Sequence, residues 1–236
     1  MSLGAGETDL LSLTNAYGMI INGGKKITPT LIDRIQDRRG VTIFKHDKRN
    51  CKNCNGQHTN SKNIPLVAVK DTRKKVISSS SAYQMVSMLK GAIDRGTGIV
   101  INSLGKNLAG KTGTTNSNTD AWFIGFSSDL VVGVFVGFDD PRPLGFKETG
   151  SSVAAPIFKD FMKEALLNIP DIPFRRPPGI KLISVNPNSG LQVSAKDKKS
   201  ILEAFKPGQL PNLSFDKNFI DLKNSNTIIK NLSPLY

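Results

Sequence analysis

Three strand-like segments follow one another near the middle of the chain, and they constrain its fold more than any other feature. They span residues 108–115, 122–126 and 130–138 and are joined by turn-forming residues, including the S-S-D sequence at 127–129. The second and third segments are apolar on both faces, a pattern typical of strands that are covered by helices on each side. The sequence therefore predicts a sheet buried within the molecule.

Helical periodicity predicts three helices around these strands. The first follows an N-cap at Thr8 or Asp9, the second begins at a capping-box pattern formed by Ser81 and Gln84, and the third spans residues 152–167. Apolar residues recur on one face of each helix. These positions are Leu10, Leu13, Ala16, Tyr17 and Ile20 in the first, Ala82, Met85, Val86, Leu89, Ala92 and Ile93 in the second, and Val153, Ile157, Phe158, Phe161 and Ala165 in the third.

The segment between the first two helices is predicted to be scaffold. Residues 26–37 and 41–45 flank the R-R-G sequence at 38–40, and this arrangement predicts a β-hairpin. The charged run at residues 70–75 is interpreted as a solvated face or linker.

A polar motif ends the first strand-like segment. Lys111, Thr112, Gly113, Thr114 and Thr115 place a cation, hydroxyls and a glycine in immediate succession. On a strand, Lys111 and Gly113 occupy one face while Thr112 and Thr114 occupy the other. Glycine lets a ligand approach the backbone, and exposed strand N–H groups can bond a peptide as another strand would. The motif suits a carboxylate-binding site, although K-T-G alone also recurs by chance.

Four stretches of sequence contain or surround this motif. They are A-Y-Q-M-V-S-M-L-K-G at residues 82–91, R-G-T-G at 95–98, A-G-K-T-G-T-T at 109–115 and D-A-W-F at 120–123. Together they closely resemble the transpeptidase domain of class A penicillin-binding proteins, the penicillin-binding protein 1A type. The resemblance runs from about residue 4 to about residue 166. It implies an α+β fold with a central antiparallel sheet and helices packed on its faces.

The resemblance also implies a reaction. In such enzymes a serine attacks the bond between two terminal D-alanines of a peptidoglycan stem peptide and passes the acyl group to an amine of a neighbouring stem. Lys111 would supply charge near the substrate carboxylate, and Thr112 and Thr114 would supply hydroxyls, with Thr114 as the more direct contact. The Thr114 N–H would complete the oxyanion hole. β-Lactams would enter the same site, and no metal or nucleotide cofactor is expected.

The family combines K-T-G with two further motifs, S-x-x-K and S-x-N. Ser103 and Lys106 match the first, and the S-K-N sequence at 61–63 matches the second. We interpret the first match as fortuitous, because Gly105 disfavours a helix and a strand would separate Ser103 from Lys106. We interpret the S-x-N match as fortuitous too, because it lies in a polar insert. We therefore expect that the chain begins within the domain, that the nucleophile lies upstream, and that this chain is inactive unless an upstream fragment complements it.

The polar insert contains both cysteines and both histidines of the chain. His46, Cys51, Cys54 and His58 fall as H-x4-C-x2-C-x3-H, a spacing that can supply four zinc ligands. A loop disulfide or two free thiols explains the same residues more simply, because short Cys/His clusters often match by accident. No metal is assigned, and the four residues stay as candidates for one.

The net charge of +13, from 32 basic and 19 acidic residues, suits anionic partners. No helix-turn-helix, zinc-finger or RNP signature stands out, so no nucleic acid is expected. No apolar run reaches 18 residues and the start does not resemble a signal peptide, so no membrane span is predicted. The resemblance places the family in the periplasm, anchored to the inner membrane, but it does not locate this chain.

Two regions are predicted. Residues 1–168 would form the C-terminal part of the transpeptidase domain, with the polar insert at about 46–76, and residues 169–236 would form a C-terminal extension. Prolines break the extension, which contains one possible strand at 180–185 and an asparagine-rich tail predicted to be disordered. Two alternatives to a transpeptidase stay open: a non-catalytic module that binds peptidoglycan or a partner, and a zinc-dependent nucleic-acid binder.

Overall fold

A computed structural model describes residues 6–49, 51–52 and 68–212. Contacts divide the chain into two units, Met1–Pro178 and Gly179–Tyr236. The helices are α1 (Leu10–Ile21), α2 (Ser79–Asp94), α3 (Ile99–Asn102) and α4 (Ala155–Ala165), and a π-helical turn, Gly150–Ala154, leads into α4. The strands are β1 (Arg34–Gln36), β2 (Thr42–Lys45), β3 (Cys51–Lys52), β4 (Ala68–Val69), β5 (Ala109–Thr114), β6 (Asp120–Phe126), β7 (Val131–Gly137), β8 (Lys181–Val185) and β9 (Ile201–Phe205).

The predicted central sheet is formed by β5, β6 and β7. The strands are antiparallel and lie in sequence order, with Lys111 opposite Ile124 and Gly113 opposite Trp122. Short connections allow this order, because antiparallel neighbours need only a turn between them. β5 lies at one edge, and no further strand of the described residues pairs with it. The α+β fold and the antiparallel sheet are both confirmed.

Helices cover both faces of the sheet, as the apolar strands predict. On one face, Val86 and Leu89 of α2 form a buried cluster with Phe126 of β6, and α1 packs beside them. On the other face, Phe158 of α4 packs against Phe123 with ring centroids 4.7 Å apart. Both rings have 0% exposed surface, so the sheet is the centre of the core.

Helix α1 begins as predicted. The Asp9 carboxylate accepts a hydrogen bond from the Ser12 backbone N–H at 2.7 Å and another from the Ser12 hydroxyl. These bonds favour the charged carboxylate and lower the pKa of Asp9. Asp9 therefore satisfies a backbone donor that the helix itself leaves unpaired.

Helix α2 differs from the prediction in two respects. Its N-cap is Ser78, whose hydroxyl accepts from the Ser81 N–H at 3.1 Å, so the helix starts before Ser81. The predicted core positions Ala82, Val86, Leu89 and Ile93 are buried, but Met85 is 43% exposed. The buried face is therefore narrower than the apolar pattern suggests, because only the side turned toward the sheet is covered.

The helix after the sheet also uses a different face from the predicted one. Phe158 is buried as expected, whereas Ile157 and Phe161 are 47% and 50% exposed. Ala155 and Met162 are fully buried instead, which puts the core contacts at a spacing of three and four residues. The buried face of α4, which packs on the sheet, is therefore the one that carries Phe158 and Met162.

The predicted hairpin forms from β1 and β2, with Ile35 opposite Phe44. Its first strand is shorter than predicted, since regular pairing begins only at Arg34. The charged run is exposed as expected, and Asp71 within it forms ion pairs with Lys25 and Arg73. None of the helices that the structure describes has the length and apolar character of a membrane span.

The second unit contains the predicted strand near residue 180, which is β8. It pairs antiparallel with β9, from Lys181 opposite Phe205 to Val185 opposite Ile201. The strand β9 is absent from the sequence prediction. Val185 and Ala204 are buried, and they give this unit a small apolar centre.

Candidate functional site

The K-T-G motif lies on the edge strand β5. The Thr115 amide donates to the Asp120 carbonyl oxygen at 3.2 Å, so the backbone of Thr115 faces β6. Because backbone groups of an antiparallel strand face its two sides alternately, the N–H groups of Thr112 and Thr114 point toward the open edge. The side chains of Lys111 and Thr114 are exposed. Two backbone donors and a cation therefore lie along one accessible strand.

Two side chains of this strand and one from the loop after α2 form a donor-rich cluster. Lys111 Nζ donates to the carbonyl oxygen of Thr112 at 3.1 Å and to Thr112 Oγ1 at 3.2 Å. Thr112 Oγ1 also lies 2.8 Å from Oγ1 of Thr97, in the loop after α2. An ammonium group has donors only, and each hydroxyl has one hydrogen. After these contacts, an ammonium hydrogen and a hydroxyl hydrogen are left for an acceptor such as a carboxylate.

Two glycines mark close approaches around this strand. A methyl group at Gly113 would lie 3.0 Å from Cβ of Trp122. From the other face, a methyl group at Gly150 would lie 2.5 Å from the carbonyl oxygens of both Gly113 and Trp122. Only glycine permits the turn at Gly150 to approach the sheet this closely. The K-T-G strand therefore lies close both to Trp122 on the neighbouring strand β6 and to the turn at Gly150.

The same turn binds a threonine of the motif. The Gly150 amide donates to Thr114 Oγ1 at 3.0 Å. Thr149 caps the turn through a reciprocal capping box with Ser152. Since Thr114 Oγ1 accepts this bond, the hydroxyl hydrogen of Thr114 is directed elsewhere. Neither Gly150 nor Thr97 is predicted as a site residue from the motif; the R-G-T-G sequence at 95–98 is the one signal that marks Thr97.

Thr115 has a different position from the other motif residues. Its Oγ1 accepts from the Asp120 N–H at 2.9 Å and lies 2.8 Å from Thr119 Oγ1. These bonds close the turn between β5 and β6. Lys111, Thr112, Gly113 and Thr114 lie together on the strand, while the side chain of Thr115 is engaged in that turn.

Ser103 and Lys106 do not contact each other through their polar groups. Ser103 is the C-cap of α3, and its hydroxyl donates to the Val100 carbonyl oxygen at 3.0 Å. Lys106 Nζ donates to the Ile169 carbonyl oxygen at 3.2 Å. Ser103 therefore follows the short helix α3 and lies before the strand that begins at Ala109. An S-x-x-K nucleophile instead needs both side chains on one face of a helix.

The Cys/His hypothesis concerns residues that lie largely outside the described ones. His46 and the backbone of Cys51 are described, whereas Cys54 and His58 are not, and the S-K-N sequence at 61–63 also lies outside. Within residues 6–49, 51–52 and 68–212, no group of three or more His, Cys, Asp or Glu is arranged to hold a metal ion. The four-ligand zinc site stays a prediction.

Comparison with known proteins identifies similar sequences and folds. The family described as the penicillin binding protein transpeptidase domain matches residues 8–163. Penicillin-binding protein 1A of Rickettsia prowazekii (strain Madrid E) is 44% identical over 216 residues, which are 92% of this chain and 27% of that protein. The corresponding protein of Rickettsia conorii (strain ATCC VR-613 / Malish 7) is 42% identical over 228 residues, or 97% of this chain and 28% of that protein.

A solved structure is also similar to this chain. The crystal structure of penicillin-binding protein 1A from Haemophilus influenzae aligns with a TM-score of 0.71 and 32% sequence identity, covering 89% of this chain and 34% of that chain. The chain thus spans 27% and 28% of the length of the two Rickettsia proteins and 34% of the solved one.

Proposed function

Because the chain belongs to the penicillin-binding protein transpeptidase family, we propose that it forms the carboxylate-binding wall of a D,D-transpeptidase site that crosslinks peptidoglycan. The substrate class is a stem peptide ending in D-alanyl-D-alanine, and β-lactams bind at the same place. The observation that carries the proposal is the donor-rich cluster of Lys111 and Thr112 beside the open edge of β5.

A peptide bound along β5 would use its backbone as well as its terminus. The N–H groups of Thr112 and Thr114 face the open edge and can pair with an extended peptide, as in strand addition. Lys111 and the threonine hydroxyls then meet the terminal carboxylate with opposite charge and hydrogen-bond donors. Such an arrangement selects peptides with a free carboxyl terminus.

The Thr114 N–H would also serve the reaction. A donor aimed at the scissile carbonyl stabilises negative charge that develops only in the transition state, and loss of one such donor typically costs about 2.7–4 kcal/mol of barrier. The bond from Gly150 to Thr114 Oγ1 supports this role, because it helps to hold the Thr114 backbone in place. Preorganisation of this kind lowers the barrier without any metal or nucleotide.

The nucleophile of this proposal comes from polypeptide outside these 236 residues. The separate hydrogen bonds of Ser103 and Lys106 support that assignment, since neither group activates the other. This chain alone would then bind substrate without forming an acyl-enzyme. The reaction takes place where peptidoglycan is assembled, on the outer side of the cytoplasmic membrane.

Equilibrium binding tests the proposal directly. The purified chain is titrated with N-acetyl-D-alanyl-D-alanine and with its C-terminal amide, and binding is followed by NMR chemical shifts. We expect the carboxylate form to bind about tenfold or more tightly, because charged hydrogen bonds contribute roughly 1.5–3 kcal/mol. Lys111→Ala should abolish that preference.

The matched control is Lys163→Ala, which removes an exposed lysine from the last turn of α4. It should retain the preference for the carboxylate. Equal affinity of the unmodified chain for both peptides would overturn the carboxylate-binding assignment. Peptidoglycan binding that is unaffected by Lys111→Ala would favour the alternative of a non-catalytic binding module.

A further inference from the structure

Thr97 lies beside the K-T-G strand on a loop that fixes its position. It stands between Gly96 and Gly98, which follow α2. A methyl group at Gly96 would lie 2.9 Å from the carbonyl oxygen of Ala92, and one at Gly98 would lie 3.2 Å from the same atom. A side chain at residue 96 would force the backbone to shift, and the Gly98 N–H donates to the Ala92 carbonyl oxygen at 2.9 Å, so the loop lies close against the end of α2. Thr97 is exposed and faces the strand from this rigid support.

The Thr97 hydroxyl contacts the K-T-G motif at the hydroxyl oxygen of Thr112. Its Oγ1 lies 2.8 Å from Thr112 Oγ1, which also accepts a hydrogen bond from Lys111 Nζ at 3.2 Å. A hydroxyl oxygen has two lone pairs and one hydrogen. When Thr97 donates to the second lone pair, the hydrogen of Thr112 has no acceptor within the cluster. When Thr112 donates instead, the hydrogen of Thr97 is the one left over.

Either arrangement leaves one hydroxyl hydrogen of the cluster without an acceptor inside it. Hydrogen-bonded groups polarise one another, so this hydrogen is a stronger donor than that of an isolated hydroxyl. The contact also restricts rotation of the Thr112 hydroxyl, so less freedom is lost when a ligand binds.

We propose that Thr97 belongs to the carboxylate-recognition cluster with Lys111 and Thr112, where its contact with Thr112 fixes which hydroxyl hydrogen is presented to the substrate terminus. The inference rests on the proposed function and extends its site beyond the K-T-G strand to the loop between α2 and α3. The R-G-T-G sequence is then part of the binding site: its glycines place the loop, and its threonine makes the contact.

A purely structural role for Thr97 predicts a different result. If the hydroxyl only ties the loop to β5, its removal would weaken the strand and lower the affinity for every ligand alike. If it orients a donor for a carboxylate, removal lowers the affinity for the carboxylate selectively. The ratio of carboxylate to amide affinity therefore separates the two roles.

The test compares variants of the chain in titrations with N-acetyl-D-alanyl-D-alanine and its C-terminal amide. Thr97→Val retains the shape of the side chain and removes the hydroxyl, and it should lower the carboxylate-to-amide affinity ratio about threefold to tenfold. Thr97→Ser restores the hydroxyl and should restore most of the ratio. Thr72→Val changes an exposed threonine in the charged run and should leave the ratio unaltered.

The outcomes distinguish this inference from the function on which it rests. If the unmodified chain does not prefer the carboxylate, the proposed function fails and the role of Thr97 fails with it. If the unmodified chain prefers the carboxylate and Thr97→Val prefers it equally, only the role of Thr97 is overturned. An equal loss of affinity for both peptides in Thr97→Val would show a structural tie and would also overturn the inference.

Discussion

The backbone nitrogen of Gly150 lies 3.0 Å from the hydroxyl oxygen of Thr114, although 36 residues separate them in the sequence. This bond joins the turn that leads into α4 to the strand that carries the K-T-G motif. Gly150 is buried, and a methyl group there would lie 2.5 Å from the carbonyl oxygens of Gly113 and Trp122, two residues that lie opposite each other in the pairing of β5 with β6. The geometry of the site is therefore coupled to the packing of α4 on the sheet.

Substitution of Gly150 tests this coupling. In Gly150→Ala the new methyl group would lie 2.5 Å from two backbone oxygens, and either the turn or the sheet must move. We expect the free energy of unfolding to fall by about 1–3 kcal/mol, as is typical of overpacking. Urea denaturation measures the change. Gly6→Ala, at a position with no heavy atom near the added methyl group, is the control, and equal stability of the two variants would contradict the prediction.

Two phenylalanines on α4 provide a test of the core. Phe158 is fully buried against Phe123, whereas Phe161, three residues later, is 50% exposed. We expect Phe158→Ala to lower the free energy of unfolding by about 3–5 kcal/mol, because it leaves a cavity in the core. Phe161→Ala should cost about 1 kcal/mol or less. Similar losses in the two variants, measured by thermal or urea unfolding, would show that the helix buries a different face.

The ion pairs of Asp71 predict a dependence of stability on pH. Hydrogen bonds from the side chains of Arg73 and Lys25 hold the pKa of Asp71 far below its usual range. The folded chain therefore keeps this carboxylate charged at a pH where the unfolded chain binds a proton. The resulting stability is present above about pH 4 and is lost as the pH falls further.

The free energies of unfolding of the unmodified chain and of Asp71→Asn should consequently differ most at neutral pH. The difference should shrink as the pH falls below about 4. Asp140→Asn removes the same charge from an exposed position after β7 and serves as the control. A difference between the unmodified chain and Asp71→Asn that does not change with pH would contradict the assignment of the ion pairs.

Intact mass spectrometry tests the location of the nucleophile. After incubation with benzylpenicillin, we expect no covalent adduct on this chain, because the hydroxyl of Ser103 is bonded to a carbonyl oxygen and not to Lys106. When the segment that precedes this region in the Rickettsia prowazekii protein is added, an adduct should form on that segment and should be lost with Lys111→Ala. An adduct on this chain that disappears in Ser103→Ala would identify Ser103 as the nucleophile and contradict the proposal.

Local chemistry predicts much of the fold. The cap at Asp9, the three central strands and the turn between β1 and β2 all depend on neighbouring residues, so the sequence pattern is sufficient to place them. The K-T-G motif lies on a strand as predicted, with Lys111 opposite Ile124 and Thr114 opposite Ala121 of β6. These features need no information from distant parts of the chain.

Contacts between distant residues account for what the pattern misses. Four consecutive serines, residues 78–81, can each cap a helix, and local sequence does not choose among them. The backbone of Val76 donates to the Gly24 carbonyl oxygen, and this long-range contact fixes the chain just before Ser78. In the site, Thr97 and Thr112 are 15 residues apart, so their contact exists only once α2 packs beside β5.

The open edge of β5 has a consequence for how the protein behaves in concentrated solution. An unpaired strand that can accept a peptide can also accept the same strand of a second copy, which is a common route to aggregation. Lys111 opposes that route, because a charged lysine on an edge strand disfavours pairing with a second copy that carries the same charge. One ammonium group would therefore both attract the carboxylate ligand and keep the molecules apart from one another.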